Sequence, residues 1–200
     1  PADVRLPATR PPKALRFRAA VFPTSADAIA IEAPDYSRKV DGAQLQWHVI
    51  PNLGPTLGAL AALPQGRPAT TAEDGVPLEY DVDIAREGDL DVHLYLVPTL
   101  DVSGGNRVRI GVSIDDGPVQ VLTDSLIPAP TETTLTEQRD WNKAVEDNAR
   151  IIHARFPSVG RGRHVVRIWR QDDNVPLQKL VIASAPLPVT YLGPAPSGFP

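Results

Sequence analysis

The chain has 200 residues, 42% of them hydrophobic, with a net charge of −4 and neither Cys nor Met. That is enough apolar content for one large domain with a substantial core, and the missing cysteines exclude disulfides, thiolate metal sites and a cysteine nucleophile. The 16 Arg and 4 Lys are scattered without a run, which excludes an electrostatic footprint for nucleic acid or an anionic membrane. No apolar run approaches the ~18 residues of a membrane-spanning helix. The lack of any Met, position 1 included, predicts an excised or processed piece of a longer chain, and no signal-peptide pattern is read in these residues.

Proline, 22 residues in all, is spread along the chain. Short strands joined by turns tolerate this; helix-rich folds do not. Residues 1–14 read as a linker or extended lead-in, and 15–200 as the folded domain. ALRFRAAVF, residues 14–22, sets Leu15, Phe17 and Ala19 against Arg16 and Arg18, which predicts a half-buried strand. AIAIEA, residues 28–33, is the next strand and carries Glu32 into a turn with Pro34, Asp35 and Tyr36. In QLQWHVI, residues 44–50, Leu45, Trp47 and Val49 share one face and Gln46 and His48 the other. Gly54, Pro55, Gly58, Pro64 and Gly66 then break the chain into loops.

The clearest alternation is PLEYDVDIAREGDLDVHLYLVP, residues 77–98. Leu78, Tyr80, Val82 and Ile84 oppose Glu79, Asp81 and Asp83; after a turn at Glu87-Gly88, Leu90, Val92, Leu94 and Leu96 oppose Asp89, Asp91, His93 and Tyr95. The pattern predicts an antiparallel pair with one wet face. NRVRIGVSIDDGPVQVL, residues 106–122, repeats it about Asp116-Gly117, a dipeptide favoured in type I′ hairpins. RIIHARF (150–156) and HVVRIWR (164–170) form another candidate pair, and LQKLVIAS (177–184) a last strand. Between them, residues 134–149 show helical features. Thr134 and Glu137 have capping-box spacing, Trp141 and Val145 are four apart, and Asn148 suits a helix end. The expected fold is all-β: an antiparallel sandwich of jelly-roll type with one short helix near 135–148.

No HExxH, GxSxG, Walker A or GxGxxG motif is present. His48, His93, His153 and His164 lie in predicted strands at no ligand spacing. Asp89, Asp91 and His93 would lie near Glu79, Asp81 and Asp83 if the hairpin pairs in register. Such carboxylates could serve acid/base work on a glycoside or hold calcium. The simpler reading is the solvated face of a sheet, since a catalytic pair needs a pocket that displaces one pKa. No catalytic and no metal residue is assigned. An aromatic ring is the usual platform for the CH face of a sugar. The strand pattern gives Trp47 and Trp169 to the core and leaves Trp141 in an irregular region. The candidate ligand contacts are Trp141, Tyr36, Trp47 and Asn148.

Taken in order, AIAIEAPDYSRKV, LQWHVIPNLG, PLEYDVDIAREGDLDVHLYLVPTL, IGVSIDDGPVQ, DWNKAVEDN, GRHVVRIWRQDDNVPLQKLVI and YLGPAPS resemble the C-terminal module of glycoside hydrolase family 115. The resemblance runs from about Asp27 to Ser197. It implies a carbohydrate-binding-module-like β-sandwich from a multidomain xylan α-glucuronidase whose catalytic barrel lies upstream. A secreted or periplasmic setting and a homodimer are also implied. IEAPDYS is further similar to the first strand of the calcium-containing modules of carbohydrate-binding families 6 and 35, where two glutamates one residue apart hold the ion. Glu32 matches the first glutamate, Pro34 replaces the second, Asp35 stands one position late, and LQKLVIAS lacks the aspartate of those modules. Glu32 is therefore expected to be a structural acceptor for a backbone N–H or an Arg, with no cofactor; a structural calcium is the alternative. The expected function is a non-catalytic accessory module contacting xylan or glucuronoxylan. The alternatives are a purely structural interdomain or dimerisation module, with the parent enzyme's catalytic domains as partner, and an independent hydrolase built on the acidic hairpin. No nucleic acid or membrane partner is expected.

Overall fold

The computed structural model describes residues 22–23, 28–42, 44–56, 58–71, 76–102, 104–105, 107–124, 135–188 and 190–197. Apolar residues at every second position become strands because a pleated chain puts them all on one face. In chain order these are β1 (Phe22–Pro23), β2 (Ala28–Glu32), β3 (Arg38–Lys39), β4 (Gln46–Pro51), β5 (Gly58–Leu63) and β6 (Pro77–Ile84). There follow β7 (Gly88–Leu96), β8 (Val108–Ile114), β9 (Gln120–Asp124), the helix α1 (Leu135–Asp147), β10 (Arg150–Val159), β11 (Gly162–Arg170) and β12 (Leu177–Ala183). They form two six-stranded sheets. The first has the order β1–β6–β11–β8–β9 with β3 also on β6; the second has the order β10–β7–β12–β5–β4 with β2 also on β12. Every pairing is antiparallel except the short β1–β6 bridge. The expected sandwich is thus the observed architecture. The predicted strand at 14–22 lies outside the described residues apart from its last position, as does Thr134 of the capping box.

Between the sheets, Leu78, Tyr80 and Val82 of β6, Ile110 of β8 and Ile168 of β11 join Ile29 and Ile31 of β2, Leu94 of β7 and Leu180 of β12 in one core. Burying each such side chain contributes roughly 1.5–3 kcal/mol. Tyr80 is fully buried and donates its hydroxyl to Ala33 O (2.9 Å). Burial, with Asp35 and Tyr36 nearby, holds its phenol well above the usual range. Trp47 is 2% exposed and donates its indole N–H to Val76 O (2.8 Å).

Two expected hairpins are not hairpins. β6 pairs with β11 in one sheet while β7 pairs with β10 and β12 in the other. β10 and β11 are likewise divided between the sheets. Period two states which face of a strand is buried, and two strands that face one another across a core read the same as two that lie side by side. The short links at 85–87 and 160–161 carry the chain across the sandwich edge. The β8–β9 pair does form, but not by a two-residue type I′ link. Its last pair is Val112 with Gln120, and the left-handed residue is Asp115 (φ 50°), with Gly117 N–H on Ile114 O (3.1 Å).

Three smaller expectations also change. Val49 is 45% exposed because β4 is the edge strand of its sheet. On α1 the buried residue behind Trp141 is Ala144 (3% exposed), not Val145 (52%). Trp169 lies on the outer face of the first sheet, not in the core. The inward position goes to Arg170, whose two terminal guanidinium nitrogens donate beneath a loop to Pro68 O (2.6 Å) and Arg67 O (3.0 Å) while its buried Nε lacks a hydrogen-bond partner. The helix ends as Asn148 predicts. Asn148 takes φ 50°, its N–H reaches Val145 O (3.2 Å), and Ala149 N–H reaches Ala144 O (3.1 Å), a Schellman closure. Among the described residues, no helix is long and apolar enough to cross a membrane.

Candidate functional site

Glu32 ends β2 in the sheet interior, beside β12. It is 1% exposed, and its cross-strand partner is Lys179, 4% exposed. Lys179 Nζ lies 3.0 Å from Glu32 Oε1, an ion-pair contact whose direction falls outside hydrogen-bond geometry. The ammonium donates instead to Leu192 O (2.8 Å) and Pro194 O (3.2 Å). Thr56 Oγ1 donates to Glu32 Oε2. Glu32 is therefore a structural acceptor, but its cation is a lysine, where an Arg or a backbone N–H was expected. The donor set does not fit a calcium ion. A fixed ammonium already takes the carboxylate, and Pro34 offers no side-chain ligand. Asp35 lies close enough to feel Glu32; burial first, then that charge, pushes its carboxyl up.

The acidic face predicted for 77–93 does not assemble. Glu79, Asp81 and Asp83 belong to one sheet and Asp89, Asp91 and His93 to the other. Arg155 donates to Asp89 (3.0 Å), as does Ser158 N–H (3.0 Å), and these bonds hold the Asp89 carboxyl below its usual range. Burial tends to raise Glu79, but hydrogen bonds from Arg167 and Arg38 outweigh it and leave this carboxyl low as well. His93 stacks on His153 at 5.3 Å. Burial, then the second imidazole, pushes its pKa down, against the pull of Asp91. An acid/base pair needs two carboxyls facing one site, and these two acidic strands lie in different sheets. Among the described residues, no group of three or more His, Asp or Glu side chains could hold a metal ion.

The four candidate ligand contacts are Trp141, Tyr36, Trp47 and Asn148. Trp47 is in the core and offers no ring face to a ligand. Tyr36 and Trp141 are partly buried and pack against the same core cluster. Asn148 closes the helix and accepts from Gln178 Nε2 through its carbonyl (2.8 Å). What the fold does build is a cleft of about 520 Å³ at one end of the sandwich, lined by none of the four. Connections from both sheets form it: the β5–β6 link supplies Gly66 to Ala69, the β7–β8 link Asp101, Val102, Gly104, Gly105 and Arg107, and the β11–β12 link Asp172 and Asp173.

Asn174 ties these links together. Its Nδ2 donates to Leu100 O (3.1 Å), its carbonyl accepts from Thr99 Oγ1 (2.6 Å), and its Oδ1 accepts from Gln65 Nε2 (3.3 Å). Buried Arg170 holds the 67–68 backbone from below. Asp173 accepts from Gly66 N–H and from Asn174 N–H (2.9 Å). Arg109 and Asp172 neutralise one another through a bidentate pair (2.9 and 2.7 Å). Arg67, Arg107 and Asp101 remain: Asp101 accepts from Arg107 N–H (3.4 Å), Arg67 donates to Gln44 Oε1 (3.2 Å), and among the described residues neither guanidinium forms an ion pair with a carboxylate. The cleft therefore offers two guanidinium groups to an anionic, hydrogen-bonding ligand. The Gly- and Pro-rich loops were visible in the sequence. That three of them meet at one end was not.

No curated protein matches the chain. Among solved structures it is similar to the GH115 4-O-methyl-α-glucuronidase BtGH115A, which has specificity for decorated arabinogalactans. The identity is 17% and the TM-score 0.51, over 76% of this chain and 18% of that one. It is also similar to the GH26-CBM35 β-(1,4)-mannanase of Podospora anserina (13% identity, TM-score 0.50, 81% of this chain and 29% of that one). A family 35 carbohydrate-binding module from Clostridium thermocellum is likewise similar (10% identity, TM-score 0.50, 80% of this chain and 100% of that one). At these identities the likeness concerns the fold alone, and the chain spans less than a fifth of the length of BtGH115A. The model of the glycosyl hydrolase family 115 C-terminal domain matches residues 21–196. The chain thus belongs to that family, as the C-terminal part of these glycoside hydrolases and not their catalytic domain.

Proposed function

We propose that this domain is a non-catalytic accessory module of a secreted or periplasmic α-glucuronidase, and that its end cleft holds the uronate carboxylate of the decorated polysaccharide. The observation that carries this reading is the pair of guanidinium groups, Arg67 and Arg107, left without a carboxylate partner among the described residues at the cleft. A planar guanidinium matches a carboxylate bidentately, which suits a glucuronosyl branch. The sandwich brings no acid/base pair to the cleft, so the role is contact, with cleavage left to the rest of the parent enzyme. Xylan is the polymer implied by the sequence resemblance. The specificity of BtGH115A for decorated arabinogalactans makes that polymer the second probe.

Affinity electrophoresis and calorimetry with glucuronoxylan, decorated arabinogalactan and unsubstituted xylan test the reading. The expected result is binding of a glucuronosylated polymer that weakens at least tenfold in the Arg67→Ala/Arg107→Ala double variant, since hydrogen bonds to charged groups contribute about 1.5–3 kcal/mol. Undiminished binding of the glucuronosylated polymers by the double variant would count against it. A second reading, a structural interdomain or dimerisation module, draws on Leu100 and Val102, which are 48% and 63% exposed on the β7–β8 link beside the cleft. Exposed apolar side chains grouped in this way suit a covering partner, either the parent enzyme's other domains or a second copy of this chain.

A further inference from the structure

The outer face of the first sheet carries an apolar strip. Trp169 of β11 stands opposite Pro77 on one side and Gly111 on the other, and Gly111 stands opposite Val121 of β9. Val40, whose N–H donates to Pro77 O (2.9 Å), extends the row past β6. Adjacent members lie about 5 Å apart, as neighbouring strands must. Val40 is 44% exposed, Val121 47%, and Trp169 partly exposed. Gly111 is needed here: a Cβ would stand 2.8 Å from Val119 Cγ1 and 3.1 Å from Trp169 Cβ, so its bareness lets both side chains settle on the sheet. The indole N–H of Trp169 is already used by Ser113 Oγ (3.0 Å). The polar edge of the ring is thus satisfied within the protein; Pro77 and Gly111 on either side are buried, and the part of the indole that reaches the surface is apolar.

Charged rows border the strip about 7 Å to either side, two residues along each strand. On one side Glu79 accepts from Arg38 Nε (2.5 Å) and Arg167 Nε (2.9 Å), and Arg167 also meets Asp116 (3.2 Å). On the other, Arg109 is locked to Asp172. The charges on both margins are taken up in ion pairs, and Gln171, two residues past Trp169, adds a neutral amide whose Nε2 reaches over Gly111, so a charged partner gains little there. An apolar strip one residue wide is also too narrow for the core of a protein interface, which buries about 800 Å² on each partner. A pyranose chain suits both features: its CH faces can lie on the indole while its hydroxyl edges meet guanidinium and carboxylate groups on either side. The strip is also continuous with the end cleft, because Arg109 and Asp172 line both.

We infer that this outer face is a second contact surface, centred on Trp169, for the neutral backbone of the same polysaccharide whose charged branch enters the end cleft. This rests on reading the domain as a glycan-contacting module. The test is an NMR titration of the ¹⁵N-labelled chain, following the indole N–H of Trp169, with xylohexaose as a neutral probe and a glucuronosylated xylo-oligosaccharide as a branched one. Both are expected to shift that signal. Trp169→Ala and the surface variant Val121→Asp should each weaken xylohexaose at least fivefold, with the melting temperature of Val121→Asp unchanged. Arg67→Ala/Arg107→Ala should leave xylohexaose affinity as it was and weaken only the branched probe. Binding of the branched probe with the Trp169 signal unmoved would overturn the second surface while sparing the cleft. Failure of both probes to bind would remove both. Self-association of the chain that Val121→Asp abolishes, with no response to either sugar, would assign the strip to a second copy and overturn the inference.

Discussion

Lys179 shows how one side chain sets the local chemistry. An ammonium buried at the centre of a sheet is tolerable only if its charge and its three donors are satisfied. Glu32 balances the charge, and two carbonyls of the C-terminal segment accept hydrogen bonds from the ammonium. Removing one partner of such a pair leaves an uncompensated buried charge and costs about 3–5 kcal/mol, whereas replacing both can be nearly neutral. Lys179→Met should therefore lower the melting temperature sharply, and Glu32→Gln/Lys179→Met should recover most of the loss, as scanning calorimetry will show. Calcium should not rescue the single variant, since Pro34 offers no side-chain ligand where a second carboxylate would have to stand. Glu32 was recognised from the sequence as a structural residue. Its partner was not, because Lys179 lies 147 positions away in a run, LQKLVIAS, whose one charge gave no hint that the C-terminal segment would cover it.

At the scale of elements, the row Arg38–Glu79–Arg167 couples β3, β6 and β11 across the outer face. The folded-state pKa of Glu79 lies below its ordinary 4.5. The unfolded chain then binds the proton at higher pH than the folded one, so the stability contributed by Glu79 is complete above about pH 4.5 and is lost as pH falls through the lowered folded value. Urea unfolding at pH 6 and pH 3 should show a smaller drop for Glu79→Gln than for the unaltered protein. An equal drop in both would assign the acid lability to other carboxylates, such as Asp89 and Asp115, which are also held low. The strands were largely legible: alternation placed β2, β6, β7, β8 and β12 within a residue or two of their observed bounds, and Asn148 marked the helix end. Neighbours were not legible, because alternation carries no term for the identity of the adjacent strand.

The molecule as a whole is closed by its C-terminal segment. Ser197 accepts from Ala30 N–H through Oγ (3.0 Å) and donates its own N–H to Ala30 O (2.8 Å). Gly193 crosses so close to Tyr95 that a Cβ there would stand 2.8 Å from the phenol oxygen. Beneath lie Tyr95, Val181 and Ala30, the small apolar cluster on the outer face of the second sheet. Burial pushes the Tyr95 phenol up from its ordinary value of 10.0. Truncation after Ala185 should return that titration toward the ordinary value in ultraviolet absorbance and lower the melting temperature, because Lys179 loses both carbonyl acceptors. Unchanged titration in a folded truncated chain would show that the segment does not shield Tyr95.

Composition and period two alone were enough to establish an all-β sandwich, most of its inward faces and a helix near 135–148, because burial alternates along a strand whatever the strand pairs with. Seven short motifs in order were enough to suggest the family. Folding in three dimensions was needed to split two apparent hairpins between sheets, to seat Lys179 on Glu32, to turn Trp169 outward by drawing Arg170 in, and to gather three loops around Arg67 and Arg107. Each of these depends on contacts between residues far apart in the chain, and local patterning holds no record of such contacts.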